Sequence, residues 1–142
     1  MLQRILVAWD GSELAVRALD MAIDIGRRYG AELTALSIAR SPAHAETDED
    51  RRETAAAAHR YLAESFAEVS DRASRAGVQA NHATIEADEV SRAMLGYAHE
   101  HGFDLIVCGH HRGRRVGRLL LHGLAEELLG GATPVLVVTD DP

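Results

Sequence analysis

A single cysteine, Cys108, in a chain of 142 residues leaves no disulfide to be formed within it. That cysteine ends the apolar run Leu105-Ile106-Val107-Cys108, the setting of a buried, inert thiol in a reducing compartment. Long apolar runs are missing as well, since none approaches the ~20 residues that a membrane-spanning helix needs. The opening residues, Gln3 to Ala8, read as a strand and not as a signal peptide. A soluble, cytoplasmic protein without a membrane partner is expected. Positive charge is scarce, with 15 Lys and Arg against 22 Asp and Glu and a formal net charge of −7, which argues against nucleic acid as a non-specific partner. Repeats, linkers and low-complexity segments are also lacking. The expectation is one domain, residues 1–142, long enough to bury most of its apolar surface without staples.

What is present is alternation. Ile5 to Trp9 is a near-continuous apolar run, as in a strand covered on both faces, and Asp10-Gly11-Ser12 closes it with a turn that caps the next segment. Leu14, Ala15, Ala18, Leu19, Ala22 and Ile23 recur near helical spacing from Glu13 to Tyr29, with Gly30 as the stop. Ala31 to Ile38 reads as a second strand, and Ser41 to Asp50, with Pro42 and four acidic residues, as an exposed loop. Arg51 to Ala76 carries Ala58, Leu62, Phe66, Val69 and Ala73 on one helical face and ends at Gly77. Val78 to Ile85 is interrupted by Gln79, Asn81 and His82, so it reads as an edge strand. Asp88 is placed to cap a helix carrying Val90, Met94, Leu95 and Ala98, which stops at Gly102. Phe103 to Cys108, Arg118 to Leu129 and Val135 to Val138 then read as strand, helix and strand.

Strands alternating with helices through short connections predict an α/β domain, a parallel sheet wrapped by right-handed crossovers. Ligands of such sheets sit beyond the carboxyl ends of strands, at a switch in strand order. Two carboxyl ends are sharp: Asp10 after the first strand and Gly109 after the fourth. If those strands are neighbours, the two turns share one crevice. After Gly109 the chain reads as a loop, His110-His111-Arg112-Gly113-Arg114-Arg115-Val116-Gly117, and a helical segment follows from Arg118. Strand, Gly-rich loop and helix N-terminus is an arrangement that holds an anion on backbone N–H groups. Arg112, Arg114, Arg115 and Arg118 crowd it, against the overall negative field.

These residues resemble the universal stress protein family over essentially the whole chain. The resemblance is carried by Ile5-Leu6-Val7-Ala8-Trp9-Asp10-Gly11-Ser12-Glu13, Ala87-Asp88-Glu89, Asp104 to His111, Leu119-Leu120-Leu121, Ala125-Glu126 and Pro134 to Val138. It implies a single α/β domain of the adenine-nucleotide alpha-hydrolase-like (HUP) type. Its five-stranded parallel sheet has the order 3-2-1-4-5 with helices on both faces, which makes strands one and four neighbours. Members that bind ATP carry, after strand four, a glycine, two residues, a glycine, nine residues, and then glycine followed by serine or threonine. Laid on this chain without gaps, Gly109 is kept, the second glycine becomes Arg112, and the closing pair becomes His122-Gly123. One inserted residue recovers Gly113 and Gly123 but ends on Leu124. The ungapped register is preferred because it keeps Leu124 and Leu128-Leu129 on the apolar helix face.

Neither register supplies a hydroxyl after the third glycine. One lost hydrogen bond to a charged group is worth roughly 1.5–3 kcal/mol, and arginine can supply the charge instead. The Gly109-His110-His111 opening also resembles the universal stress protein A branch, which the resemblance implies is similar in fold but lacks ATP binding. The function expected is therefore a universal stress response module, homodimeric and non-catalytic, with weak or absent ATP binding. The alternative is a sensor of ATP, ADP or AMP built on Asp10, Gly109, His110, Arg112, Gly113 and Gly123, with slow nucleotide hydrolysis a distant third.

Asp10 matches the family aspartate that contacts the nucleoside part of ATP, and its simpler role is negative charge at a helix N-terminus. Trp9 is more simply core than a stacking platform. His110, His111 and His122, with His99 and His101, have no metal-ligand spacing and no cysteine partner, so no metal is expected. No nucleophile, base and orienting group can be assembled around the crevice, so the protein is read as not an enzyme. Val135 to Val138 forms an apolar sheet edge in the implied strand order, and pairing with a second copy of itself yields a two-fold homodimer.

Overall fold

The computed structural model of the protein describes residues 2–39, 48–110 and 124–139. The elements are β1 (Arg4–Ala8), α1 (Glu13–Tyr29), β2 (Glu32–Ala39), α2 (Asp48–Arg75), β3 (Ala80–Glu86), α3 (Val90–Glu100), β4 (Leu105–His110), α4 (Leu124–Leu128) and β5 (Val135–Thr139). They build one five-stranded sheet, parallel throughout, in the order β3-β2-β1-β4-β5. The order reverses between β1 and β4, which pair from Ile5 with Leu105 to Val7 with Val107.

Side-chain alternation along the strands sorts the apolar residues into two cores. Ile5, Val7 and Trp9 of the central strand face Leu19 of α1 and Leu62, Phe66 and Val69 of α2. Leu6 and Ala8 share the other side with Ile106, Cys108, Met94 of α3 and Leu128 of α4. The whole of β1 from Ile5 to Ala8 is inaccessible to solvent, which is why its sequence is continuously apolar and not alternating. Burying a large aliphatic side chain of this kind stabilises by roughly 1.5–3 kcal/mol.

Local signals acted as expected in α1, where Ser12 caps the N-terminus with its Oγ accepting from the Ala15 N–H at 3.2 Å. Gly30 closes the helix in the left-handed region at φ +70°. Several expectations are corrected. The loop expected over 41–50 ends earlier, because α2 already starts at Asp48. Asp88 does not cap α3: Glu89 occupies that position and no side chain caps the helix. The fourth strand continues past Cys108 to His110, so Gly109 and His110 are strand residues paired with Val138 and Thr139, not the start of a loop. Helix four is described only over Leu124–Leu128, with Arg118 to Gly123 outside the described residues, and Leu129 is 63% exposed instead of lying on the apolar face.

Candidate functional site

The carboxyl end of β1 is shaped by three consecutive residues. Trp9 extends the strand, donating its N–H to Leu36 O at 3.0 Å and accepting from Ser37 Oγ on its own carbonyl at 2.7 Å. Asp10 follows, 1% exposed, with Oδ1 accepting the Ser12 N–H at 2.9 Å, the side-chain-to-backbone bond of an Asx turn. Gly11 stands at φ +79°, and a Cβ there would lie 2.9 Å from the Tyr61 hydroxyl oxygen, so both conformation and space require glycine.

Helix α2 holds this turn from behind. The Tyr61 hydroxyl donates to Asp10 O at 3.2 Å, and the Trp9 indole N–H donates to Ser65 Oγ at 2.9 Å. Trp9 is itself 1% exposed and belongs to the core under α1 and α2, so its ring is not a stacking surface for a ligand. Sequence reasoning did not single out Tyr61, Ser65 or Ser37. A signal existed, because a buried indole N–H needs an acceptor and Tyr61 and Ser65 lie one helical turn apart beside Leu62 and Phe66.

On the neighbouring strand, Gly109 has no room for a side chain: a Cβ would come within 2.6 Å of Leu14 Cγ and 3.3 Å of Leu14 O. Close packing of α1 on β4 therefore accounts for this glycine without a ligand. His110 ends β4 with its side chain 23% exposed and Nε2 3.4 Å from Glu126 Oε1 of α4. Cys108 lies below it, its thiol pushed up to about 12 by burial and then by the Glu126 charge, which keeps it in the unreactive protonated form. Glu126 was quoted in the sequence only as part of a motif, and its approach to His110 is a tertiary contact.

Two buried side-chain atoms at this end have no hydrogen-bond partner among the described residues: Asp10 Oδ2 and His110 Nδ1. The β1–β4 register runs from Ile5–Leu105 to Val7–Val107, and both residues follow it, Asp10 in the turn after β1 and His110 as the last residue of β4. Among the candidate residues, Asp10, Gly109 and His110 thus stand at the carboxyl ends of the neighbouring strands β1 and β4, while Arg112, Gly113 and Gly123 lie outside the described residues. His111, Arg114, Arg115, Arg118 and His122 lie outside them too. Among the described residues no group of three or more His, Cys, Asp or Glu is arranged to hold a metal, and no helix is long and apolar enough to cross a membrane. Two cavities lie elsewhere: about 530 Å³ at the amino ends of β1, β2 and β3, beside Arg4, Arg27 and Glu32, and about 580 Å³ between α1 and α2, beside Arg17 and Arg72. The first is lined by buried Gly26, Ala31 and Val78 as well as by charged side chains, and neither touches Asp10, Gly109 or His110.

A parallel sheet whose order reverses between β1 and β4, with an acidic residue at that switch point, defines a doubly wound α/β protein. The chain belongs to the Universal stress protein family, whose sequence model matches residues 1–139. It is 32% identical to universal stress protein YxiE of Bacillus subtilis, over 97% of this chain and 99% of that one. A universal stress family protein from Burkholderia pseudomallei has the same fold, with a TM-score of 0.78 and 27% identity over 96% of this chain and 95% of its own. A universal stress protein solved in complex with cAMP matches with a TM-score of 0.71 and 24% identity, covering 96% of each chain. One from Archaeoglobus fulgidus, in complex with dAMP, matches with a TM-score of 0.64 and 17% identity over 96% of this chain and 97% of its own.

Proposed function

We propose that this protein is a cytoplasmic, non-catalytic stress-response module that works as a homodimer joined along β5, with weak or absent ATP binding. The observation that carries the reading is β5 itself. Val135, Leu136, Val137 and Val138 remain only half-buried although the strand is paired with β4. Pro134 O accepts from the Ile106 N–H at 2.9 Å. By strand alternation, Leu136 and Val138 then turn their backbone groups to β4, while Val135, Val137 and Thr139 turn theirs outward. An apolar edge whose outward groups have no partner strand among the described residues is a template for another strand, and a second copy supplies one with two-fold symmetry. The non-catalytic part rests on the site's contents, since Ser12 Oγ is engaged in capping α1 and no base is aligned on it among the described residues.

Sedimentation at micromolar protein tests this reading. A dimer is expected for the native chain, and a monomer with unchanged helical signal for Val137→Pro, which removes an outward N–H. A native monomer overturns the dimer.

A second reading, adenine-nucleotide binding at the Asp10–Gly109–His110 crevice, is favoured by the buried, unpartnered Asp10 Oδ2. Two proteins of the same fold solved with cAMP and dAMP support the ligand class. Arg112, Arg114, Arg115 and Arg118, which follow in the sequence, replace the missing hydroxyl as the source of phosphate contacts in this reading. Thermal shift with Mg-ATP, ADP and AMP is the test, because a ligand at 100 times its dissociation constant adds about 2.7 kcal/mol of stability. No shift at millimolar nucleotide would remove it.

A further inference from the structure

Helix α2 touches each of the three residues that end β1. Ser65 Oγ accepts the Trp9 indole N–H at 2.9 Å and is itself oriented by donating to Leu62 O at 2.8 Å. The Tyr61 hydroxyl donates to Asp10 O at 3.2 Å. A Cβ on Gly11 would lie 2.9 Å from the Tyr61 hydroxyl oxygen and 3.3 Å from Ser65 Cβ.

The two contacts hold different things. Trp9 is already fixed as an extension of β1, by its N–H on Leu36 O and by Ser37 Oγ on its carbonyl, and its ring belongs to the core. The next peptide, from Asp10 to Gly11, leads into a residue at φ +79°. Glycine takes positive and negative φ with similar ease, so this peptide plane is the soft joint of the turn. Its carbonyl is the atom that Tyr61 holds. With the plane held, Asp10 Oδ1 accepts the Ser12 N–H at 2.9 Å, and Oδ2 stays buried without a partner among the described residues. At 3.2 Å the Tyr61 bond is longer than the usual O–H···O bond of about 2.7–2.8 Å. Its worth lies in direction more than in strength. The Tyr61 ring packs against the core separately.

We propose that Tyr61 is a positioning residue whose hydroxyl locks the Asp10–Gly11 peptide, so that the Asp10 carboxyl keeps one orientation for a ligand. The inference rests on the nucleotide-binding reading above. It assigns α2, a helix with none of the candidate site residues on it, a part in setting affinity at the end of β1.

Tyr61→Phe keeps the ring and deletes the donor. Arg72→Gln cuts the tie from α2 to Asp20 of α1, at 2.9 and 3.0 Å, without touching the turn, and is the control for general loosening of α2. Two readouts are compared with the native chain: amide exchange at the Ser12 N–H by NMR, and AMP affinity by titration calorimetry. In Tyr61→Phe, exchange at Ser12 should quicken and AMP affinity should fall, each by about tenfold, the scale of a single hydrogen bond. The two move together because a ligand that needs the locked turn binds in proportion to its population. Arg72→Gln should match the native chain in both.

Unchanged exchange at Ser12 in Tyr61→Phe overturns the lock. Faster exchange with unchanged AMP affinity overturns the positioning role and leaves the nucleotide site standing. Equal effects in Arg72→Gln assign the change to loosening of α2 and overturn the particular role of Tyr61. No binding of AMP, ADP or ATP to the native chain removes the nucleotide reading and this inference with it.

Discussion

At the amino-terminal end of the sheet each strand start is tied to its neighbour, whereas at the carboxyl-terminal end two buried side-chain atoms find no partner among the described residues. Asp104 Oδ2 accepts the N–H groups of Gln3 and Arg4 at 2.8 and 2.9 Å, locking β4 to β1. Arg4 binds Glu32 at 3.0 Å, donates to His101 O, and lies 4.5 Å above the Phe103 ring. Glu32, Leu33 and Ile106 donate their N–H groups to Gln3, Gln79 and Pro134, which joins the remaining strand starts. At the opposite end, Asp10 Oδ2 and His110 Nδ1 are buried and unpartnered among the described residues. An unmet buried acceptor costs about 1–3 kcal/mol. One end of the domain thus contributes stability, and the other retains a cost.

The largest effect is expected at Gly109. If the glycine is required by Leu14, Gly109→Ala should destabilise by about 1–3 kcal/mol through overpacking, read as a lowered urea midpoint. Unchanged stability would break the comparison by making Gly109 a ligand-only position. Next comes Asp104→Ala, which leaves two N–H groups of the β1 start without their acceptor. A loss of roughly 1–2 kcal/mol is expected, reduced by partial exposure.

The same substitution at the other end, Asp10→Ala, should change stability by less than about 1 kcal/mol, since it gives up one bond and removes one unmet acceptor. A loss as large as that of Asp104→Ala would erase the contrast between the ends.

Acid should separate them further. Backbone N–H groups of Gln3 and Arg4 hold the Asp104 carboxyl below its ordinary value of 3.8. A depressed folded-state value means that the contribution is complete above 3.8 and is lost as pH falls from there through the folded value. The stability difference between the native chain and Asp104→Ala should therefore shrink below pH 4, roughly the unperturbed carboxylate value. A constant difference would show that the carboxyl is not held by those bonds. The smallest signal belongs to Cys108, which should resist a thiol reagent at pH 8 until the protein unfolds, because its thiol is pushed up to about 12. Rapid labelling of the folded chain would show that the floor of the crevice opens.

The sheet and its helices were legible because their causes are local. Continuous apolar runs mark buried parallel strands, and Ser12, Gly30 and Gly77 punctuate helices where glycine or a hydroxyl is required. Where a local cause was weak, the boundary moved. Asp88 looked like a cap and is not, and Gly109 looked like the mouth of a loop and is a strand residue pressed against Leu14. A glycine excluded by a helix from elsewhere in the chain cannot be told from one that admits a phosphate by sequence position alone. Trp9 illustrates the same limit, since its fate depends on Ser65, 56 residues away.

The sequence by itself determined the order of the elements, the two-sided burial of β1, the buried cysteine and the acidic residue at the switch point. These follow from periodicity and composition, which act over a few residues. Only the tertiary structure decided that Asp10 and His110 lie at the ends of neighbouring strands, that Glu126 approaches one nitrogen of that ring, and that Asp10 Oδ2 and His110 Nδ1 have no partner among the described residues. Such facts depend on strand register and on which helix face covers which strand end. Those are settled by the packing of the whole domain and not by any one segment.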